Sequence, residues 1–296
     1  MSNNNFNEHI AIPLYGNNPI PNYNADFAAM DILYSNDGNG KLTDNNPTIT
    51  PYLVEDSTSC VVIYPGGGFF ARSDYSEGIQ IAETYNKAGI SAFVVRYRIG
   101  NPSSPHDGYD GETIVMDAQR AVQFVRYNAD KFGIDSQKIA VCGFSAGVFL
   151  ALATTQKQIS ADAVADEIGK ISNKPSAVIL CYARTNLQSG TGLSSLLNIL
   201  TAKYSDDEKE ARLSFWNPNL NVSSELPPTF SWGSLSDTAD PPKHHSNIYC
   251  AELRKAGVPC EEHIYENTPH GKGLSSAYDA ADWLERSVKF LKKLGF

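Results

Sequence analysis

The chain has 296 residues, room for one large α/β domain or two ordinary ones. Its 24 Lys and Arg against 33 Asp and Glu leave a net charge of −9 with no basic run, which argues against a nucleic-acid partner. An apolar share of 42% can fill a sizeable core, and a charged share of 19% is too low for a disordered acidic chain. No apolar run approaches the roughly 18 residues of a membrane span. The opening Met1-Ser2-Asn3-Asn4-Asn5 has neither a basic nor an apolar stretch, so the expectation is a cytoplasmic protein without a secretory signal. Five scattered cysteines without a Cys-x-x-Cys pair (Cys60, Cys142, Cys181, Cys250 and Cys260) read as reduced, core-packing side chains.

Residues 1–56 are rich in Asn and Pro and read as an irregular entry segment, with weak strands around 28–34 and 50–54. From Cys60 the pattern changes to short β-branched runs alternating with helices. Strands are expected at 60–64, 90–97, 138–142, 177–182, 229–232 and 260–265. Helices are expected at 76–87, 112–132, from 145, at 245–255 and at 277–294. In 112–132, Ile114, Ala118, Ala121, Val122 and Val125 recur at spacings of three and four on one face. Continuous apolar strands alternating with helices predict an α/β fold, a mostly parallel central sheet flanked by helices on both faces. The whole of 1–296 reads as a single domain. Residues 184–225 break the rhythm and read as an insertion over the carboxyl edge of the sheet, with one helix near 194–202.

Gly143-Phe144-Ser145-Ala146-Gly147 is a G-x-S-x-G sequence lying between a predicted strand and a predicted helix. A serine hydroxyl becomes a nucleophile when held clear of its neighbours beside a base, and a sharp strand-to-helix turn achieves this. Upstream, Gly66-Gly67-Gly68 follows directly on the strand 60–64. Consecutive glycines expose amides to an oxygen that becomes negative, and Ala146 would add another. The base is sought after the last strand, where His270 stands in Pro269-His270-Gly271. His263 lies inside a strand, His244 and His245 open a helix, His9 belongs to the irregular segment, and His106 sits in a loop near the expected pocket. The orienting carboxylate should follow 229–232. Asp237 fits, with Asp240 three residues on as the alternative.

These residues resemble the α/β-hydrolase superfamily, and within it the bacterial esterase/lipase group related to acetyl esterases and acetylxylan esterases. The likeness rests on 62–69, 92–98, 117–122, 138–147, 253–259 and 269–271, and it runs from about Cys60 to the carboxyl terminus. It implies an α/β-hydrolase fold with Ser145, Asp237 and His270 as the triad and the amides of Gly67, Gly68 and Ala146 as the oxyanion hole. Pro65 stands where lipase-like relatives carry histidine, which points to the sugar-ester branch. The implied reaction is hydrolysis of short, acetyl-type esters, with an acetylated oligosaccharide or another small ester as substrate. Phe69, Phe70, Tyr97 and Trp216 are the expected pocket wall. Tyr75, Tyr109 and Phe215 are further aromatic residues near it. No metal or organic cofactor and no membrane partner is expected, and self-association is left open. An amide-bond hydrolase, a peptidase or formamidase, on the same triad and a non-catalytic α/β-hydrolase-fold binding protein are the rival readings.

Overall fold

The computed structural model describes residues 9–28, 46–101, 104–155, 166–188 and 194–296. Among the described residues eight strands form one sheet: β1 (Ile12–Pro13), β2 (Thr48–Tyr52), β3 (Cys60–Tyr64), β4 (Ser91–Arg96), β5 (Ile139–Phe144), β6 (Ala177–Cys181), β7 (Thr229–Ser234) and β8 (Cys260–Tyr265). Their order is β1-β2-β4-β3-β5-β6-β7-β8; β1 and β2 pair antiparallel, β2 runs antiparallel to β4, and every other pairing is parallel. This is the α/β-hydrolase fold.

The parallel strands read as unbroken apolar runs because both of their faces are covered. Val62, Tyr64, Val141, Val178 and Leu180 face one core, with Ile114, Ala118, Leu150 and Leu253 packed against them. Val61, Ile63, Ala140, Cys142 and Ile179 face the other, beneath Ile81, Tyr85, Trp283 and Leu291. The edge strand β8 carries Glu261, Glu262 and His263 on a half-exposed backbone, charges that discourage pairing with another chain.

The helices are α1 (Ala25–Ala28), α2 (Gln80–Lys87), α3 (Gly111–Tyr127), α4 (Ala129–Phe132), α5 (Ala146–Ala153), α6 (Ser194–Leu200), α7 (Asp206–Trp216), α8 (Ser246–Lys255) and α9 (Trp283–Lys293). Four differ from the sequence reading; the helix expected over 277–294 becomes α-helical only at Trp283, after a 3₁₀ turn over Asp279–Asp282. The long helix expected over 112–132 divides at Asn128, whose side chain donates to the Phe124 carbonyl at 2.9 Å and competes with the helical ladder. The helix expected from 76 begins instead as a π-turn, Tyr75–Ile79. The 184–225 region holds two helices; α7 opens on a capping box between Ser205 and Glu208. Leu196, Ile199, Leu200 and Trp216 from this region are buried in the main core, so both helices are anchored to the body of the protein. The strand expected at 28–34 falls almost entirely outside the described residues, and Ala28 itself ends α1.

The entry segment is tied down by a buried ion pair. Asp117 on α3 accepts from the Arg98 amide, Nε and Nη2 at 3.0, 2.8 and 2.7 Å, and from the Tyr15 hydroxyl at 2.9 Å. Arg98 also donates to the carbonyl of Pro21. Both side chains of the pair are closed to solvent. Truncating the carboxylate would strand a buried guanidinium, so Asp117→Ala is expected to cost about 3–5 kcal/mol in urea denaturation. A loss under about 1 kcal/mol would show that this pair does not anchor the segment.

Candidate active site

Strand β5 ends at Phe144 and the chain turns at once into α5. Ser145 at the turn has φ 51° and ψ −117°, a strained conformation for a residue with a Cβ. The neighbouring glycines make it sterically feasible. A Cβ on Gly147 would lie 2.1 Å from the Tyr64 carbonyl oxygen, and one on Gly143 would lie 2.4 Å from the Gly147 oxygen. The Ser145 amide donates to the Cys181 carbonyl at 3.1 Å, which ties the turn to β6.

Two loops at the same sheet edge meet this serine. His270, after β8, has Nε2 2.8 Å from Ser145 Oγ and Nδ1 2.8 Å from Asp237 Oδ2. Asp237, after β7, uses Oδ1 to accept from the amides of Ala239 and Asp240, both at 2.9 Å. The Thr268 amide donates to Ser234 Oγ at 3.0 Å and couples the two loops. Of the two aspartates, Asp237 makes the bond to the imidazole. Asp240 lies on the other side, with Oδ2 3.8 Å from His270 Nε2. It forms a fully buried ion pair with Arg184, and His245 Nε2 is 3.6 Å away.

Burial works against a charged His270. The hydrogen bond with Asp237 and the negative charges of Asp240, Asp237 and Glu77 outweigh it, and hold the imidazole above its ordinary value of 6.5. Burial also works against an ionised Asp237, but the His270 bond and the two amides hold its carboxyl below the usual range. At Asp240 burial wins over the charges of Arg184 and His270 and pushes the carboxyl up to about 6. Burial, with the positive charge of Arg184, pushes His245 down to about 4.

The glycine loop lies beside the serine. Gly67 has φ 128°, and a Cβ there would stand 2.2 Å from the Ala71 oxygen, so only glycine fits this tight return. Gly66 donates its amide to Glu77 Oε2 at 2.7 Å, and the Tyr182 hydroxyl donates to Glu77 Oε1 at 2.5 Å. Glu77, Tyr182, Arg184 and His245 are polar residues around the site that the sequence reading did not assign to it. No motif marks them; the one available hint is a carboxylate two residues after Tyr75 in an otherwise amphipathic stretch.

The expected aromatic wall is largely a packed support. Phe69, Tyr97 and Trp216 are buried, because Phe69 packs edge-on to Tyr97 and Phe149, and Trp216 packs on Phe149. The Tyr97 hydroxyl is used up by the Pro65 carbonyl at 2.6 Å. Phe70 alone of the four is half-exposed, its ring against the backbone of Gly68. Among the remaining histidines, His263 pairs with Glu261 on β8 at 2.9 Å and His9 stacks on Tyr52. His106 sits in a short 3₁₀ turn.

The BD-FAE family matches residues 49–250. The chain belongs to that family. It is 28% identical over 256 residues to an acetylxylan esterase of Xylanibacter ruminicola, covering 85% of this chain and 48% of that protein. It is likewise 28% identical over 243 residues to endo-1,4-β-xylanase B of Butyrivibrio fibrisolvens, covering 80% of this chain and 36% of that protein. The chain thus spans between a third and a half of the length of these curated relatives. Among solved structures, an acetyl ester-xyloside bifunctional hydrolase from Caldicellulosiruptor lactoaceticus superposes with a TM-score of 0.81 at 29% identity, with 97% of each chain covered. The esterase Est2 of Thermogutta terrifontis, with butyrate bound, gives a TM-score of 0.68 at 25% identity, with 85% and 90% covered.

The imidazoles of His270, partly exposed, and His245, fully buried, should separate in a histidine NMR titration. His270 is expected to take up its proton above 6.5, whereas His245 stays neutral until about pH 4. An unfolded chain would protonate His245 near its ordinary 6.5, so its contribution to stability is whole above that pH and drains away as the pH falls toward about 4. Titration of His270 below 6.5 would contradict the carboxylate-dominated field described above.

Proposed function

We propose that the chain is a serine carboxylesterase that hydrolyses short-chain esters, acetyl above all, on xylan-derived or other oligosaccharides. The observation that carries this reading is the unbroken line Asp237–His270–Ser145, both bonds 2.8 Å, at a strained turn against the glycine loop. In the first half-reaction Ser145 Oγ attacks the ester carbonyl carbon while His270 Nε2 accepts the hydroxyl proton. The carbonyl oxygen becomes an oxyanion, held by the amides of Gly67, Gly68 and Ala146. The tetrahedral adduct collapses to an acyl-serine, and the imidazolium passes its proton to the leaving alcohol. Water, deprotonated by the same His270, then attacks the acyl-enzyme, and the acid departs as Ser145 recovers its proton. Asp237 keeps the imidazole in the working tautomer and stabilises its cationic form.

Substrate class is supported from two directions. The relatives above are described as an acetylxylan esterase, a xylanase and an acetyl ester-xyloside hydrolase. The half-exposed Phe70 ring beside Gly68 favours a small acyl group at the oxyanion end. No step in this chemistry calls for a metal or organic cofactor.

Hydrolysis of p-nitrophenyl acetate, butyrate and octanoate tests the reading, with wild type and Ser145→Ala compared. Acetate should turn over fastest, and the variant should lose on the order of 10⁴-fold or more. Acetylated xylo-oligosaccharides should outperform ethyl acetate in kcat/KM. Equal, negligible rates in both proteins would remove the esterase reading, and a panel of amides and formamides would then identify the bond cleaved.

A further inference from the structure

Glu77 is a buried carboxylate that the acyl-transfer steps do not use. It sits in the π-turn Tyr75–Ile79, 3% exposed, and its two oxygens face different catalytic segments. Oε2 accepts from the Gly66 amide at 2.7 Å, at the root of the glycine loop. Oε1 accepts from the Tyr182 hydroxyl at 2.5 Å, at the end of β6. The same hydroxyl accepts from the Gly273 amide at 3.2 Å, three residues beyond His270, and the Tyr182 ring stands edge-on to the His270 ring at 4.9 Å. A Cβ on Gly273 would be 2.5 Å from the Ser76 oxygen, so the histidine loop already rests on the backbone beside Glu77. A Cβ on Gly66 would touch both Glu77 Oε2, at 2.8 Å, and Ser145 Cβ, at 3.0 Å, which places the carboxylate immediately behind the nucleophile.

We propose that Glu77 is a positioning residue that sets the glycine loop and the His270 loop in register around Ser145, through Gly66 on one oxygen and Tyr182 on the other. This rests on the proposed ester hydrolysis only for its kinetic test. The strained backbone of Tyr182, φ 39°, fits such a role, since a buried residue holds that conformation only when its surroundings over-determine it. A carboxylate suits the position because it alone accepts at both ends without offering a donor. In glutamine the amide nitrogen would either meet the Gly66 amide, donor against donor, or face Tyr182, whose hydroxyl would then have to accept and give up its bond to Oε1, so one of the two links is lost. The charge has a second effect. The groups facing His270 are Ser145, Tyr182, Asp237, Asp240 and Glu77, with Arg184 and His245 behind Asp240, and the negative members favour the imidazolium formed during attack.

Glu77→Gln and Tyr182→Phe are the tests, each with its thermal midpoint checked first. In Glu77→Gln, kcat on p-nitrophenyl acetate should fall by about 10²-fold with KM within a factor of two, the loss expected of an ångström-scale misplacement. The acid limb of kcat/KM and the His270 NMR titration should both move to lower pH. Tyr182→Phe should lower kcat with a smaller shift of the titration, because it keeps the charge. Glu77→Asp should keep the titration of His270 near wild type and still lose kcat, since the shorter side chain cannot span both loops. A folded Glu77→Gln protein with wild-type kcat and an unmoved His270 titration would overturn the proposal. So would a variant that only melts earlier, with kcat per folded molecule unchanged. The NMR titration needs no turnover, so a wild type inactive on esters would fail the esterase reading while the titration of Glu77→Gln still tested the charge that Glu77 places on His270.

Discussion

The structure around the site depends on one close approach, that of the first turn of α5 to the end of β3. Gly147 lies so near the Tyr64 carbonyl that a single methyl group would collide with it at 2.1 Å. That contact brings the start of the helix, the end of the neighbouring strand and the glycine loop that follows it within reach of one serine hydroxyl. It also obliges Ser145 to take its left-handed backbone. Such strain costs of order 1–3 kcal/mol and persists where packing on every side leaves the chain no alternative. Here the packing is the apolar parallel sheet: β3, β5 and β6 are buried along their whole length, and the Ser145 amide is pinned to Cys181 on β6.

From that fixed point the remaining groups arrive on loops that need little more than a correct length. β7 and β8 are parallel neighbours with Thr229 opposite Cys260 and Ser234 opposite Tyr265, so their carboxyl ends finish level. Asp237 and His270 leave from those level ends, three and five residues beyond them. The bond from the Thr268 amide to Ser234 Oγ holds the loops together. The serine is therefore set by backbone strain, and the histidine and aspartate by strand register.

This division explains what the sequence disclosed. Strands 60–64 and 260–265 coincide with β3 and β8, because apolar or bounded β-branched runs between turn residues admit few alternatives. That Ser145, His270 and Asp237 meet at one sheet edge was legible because each follows a strand. Asp240 is an alternative in sequence but lies beside Nε2 rather than Nδ1, a distinction of side that three residues of spacing cannot carry. The pocket aromatics misled for a related reason. Bulky residues after a glycine run can face either way, and the left-handed backbone at Phe69 turns its ring inward onto Phe149. Helix α7 was missed although Ser205 and Glu208 spell a capping box, since its polar sequence offers no apolar stripe for periodicity to detect.

Three carboxylates surround one imidazole, and they are not equivalent. Asp240 is the most deeply buried and is matched by Arg184, so its field at His270 is opposed by the cation just behind it. A buried pair of this kind gains little net stability, because desolvating two charges offsets their attraction. The negative charge of Asp240 nevertheless acts on His270, with Oδ2 3.8 Å from Nε2, and favours the imidazolium. Asp237 and Glu77 differ in that the hydrogen bonds they accept at their outer oxygens come from backbone amides and a tyrosine hydroxyl, which orient a carboxylate without neutralising it. Besides Asp240, 3.8 Å from Nε2, two further sources favour imidazolium: Asp237 by direct contact at Nδ1, and Glu77 from behind Ser145 through space. Because Glu77 also fixes the glycine loop, displacement of that loop and a change in the basicity of His270 are coupled through one side chain.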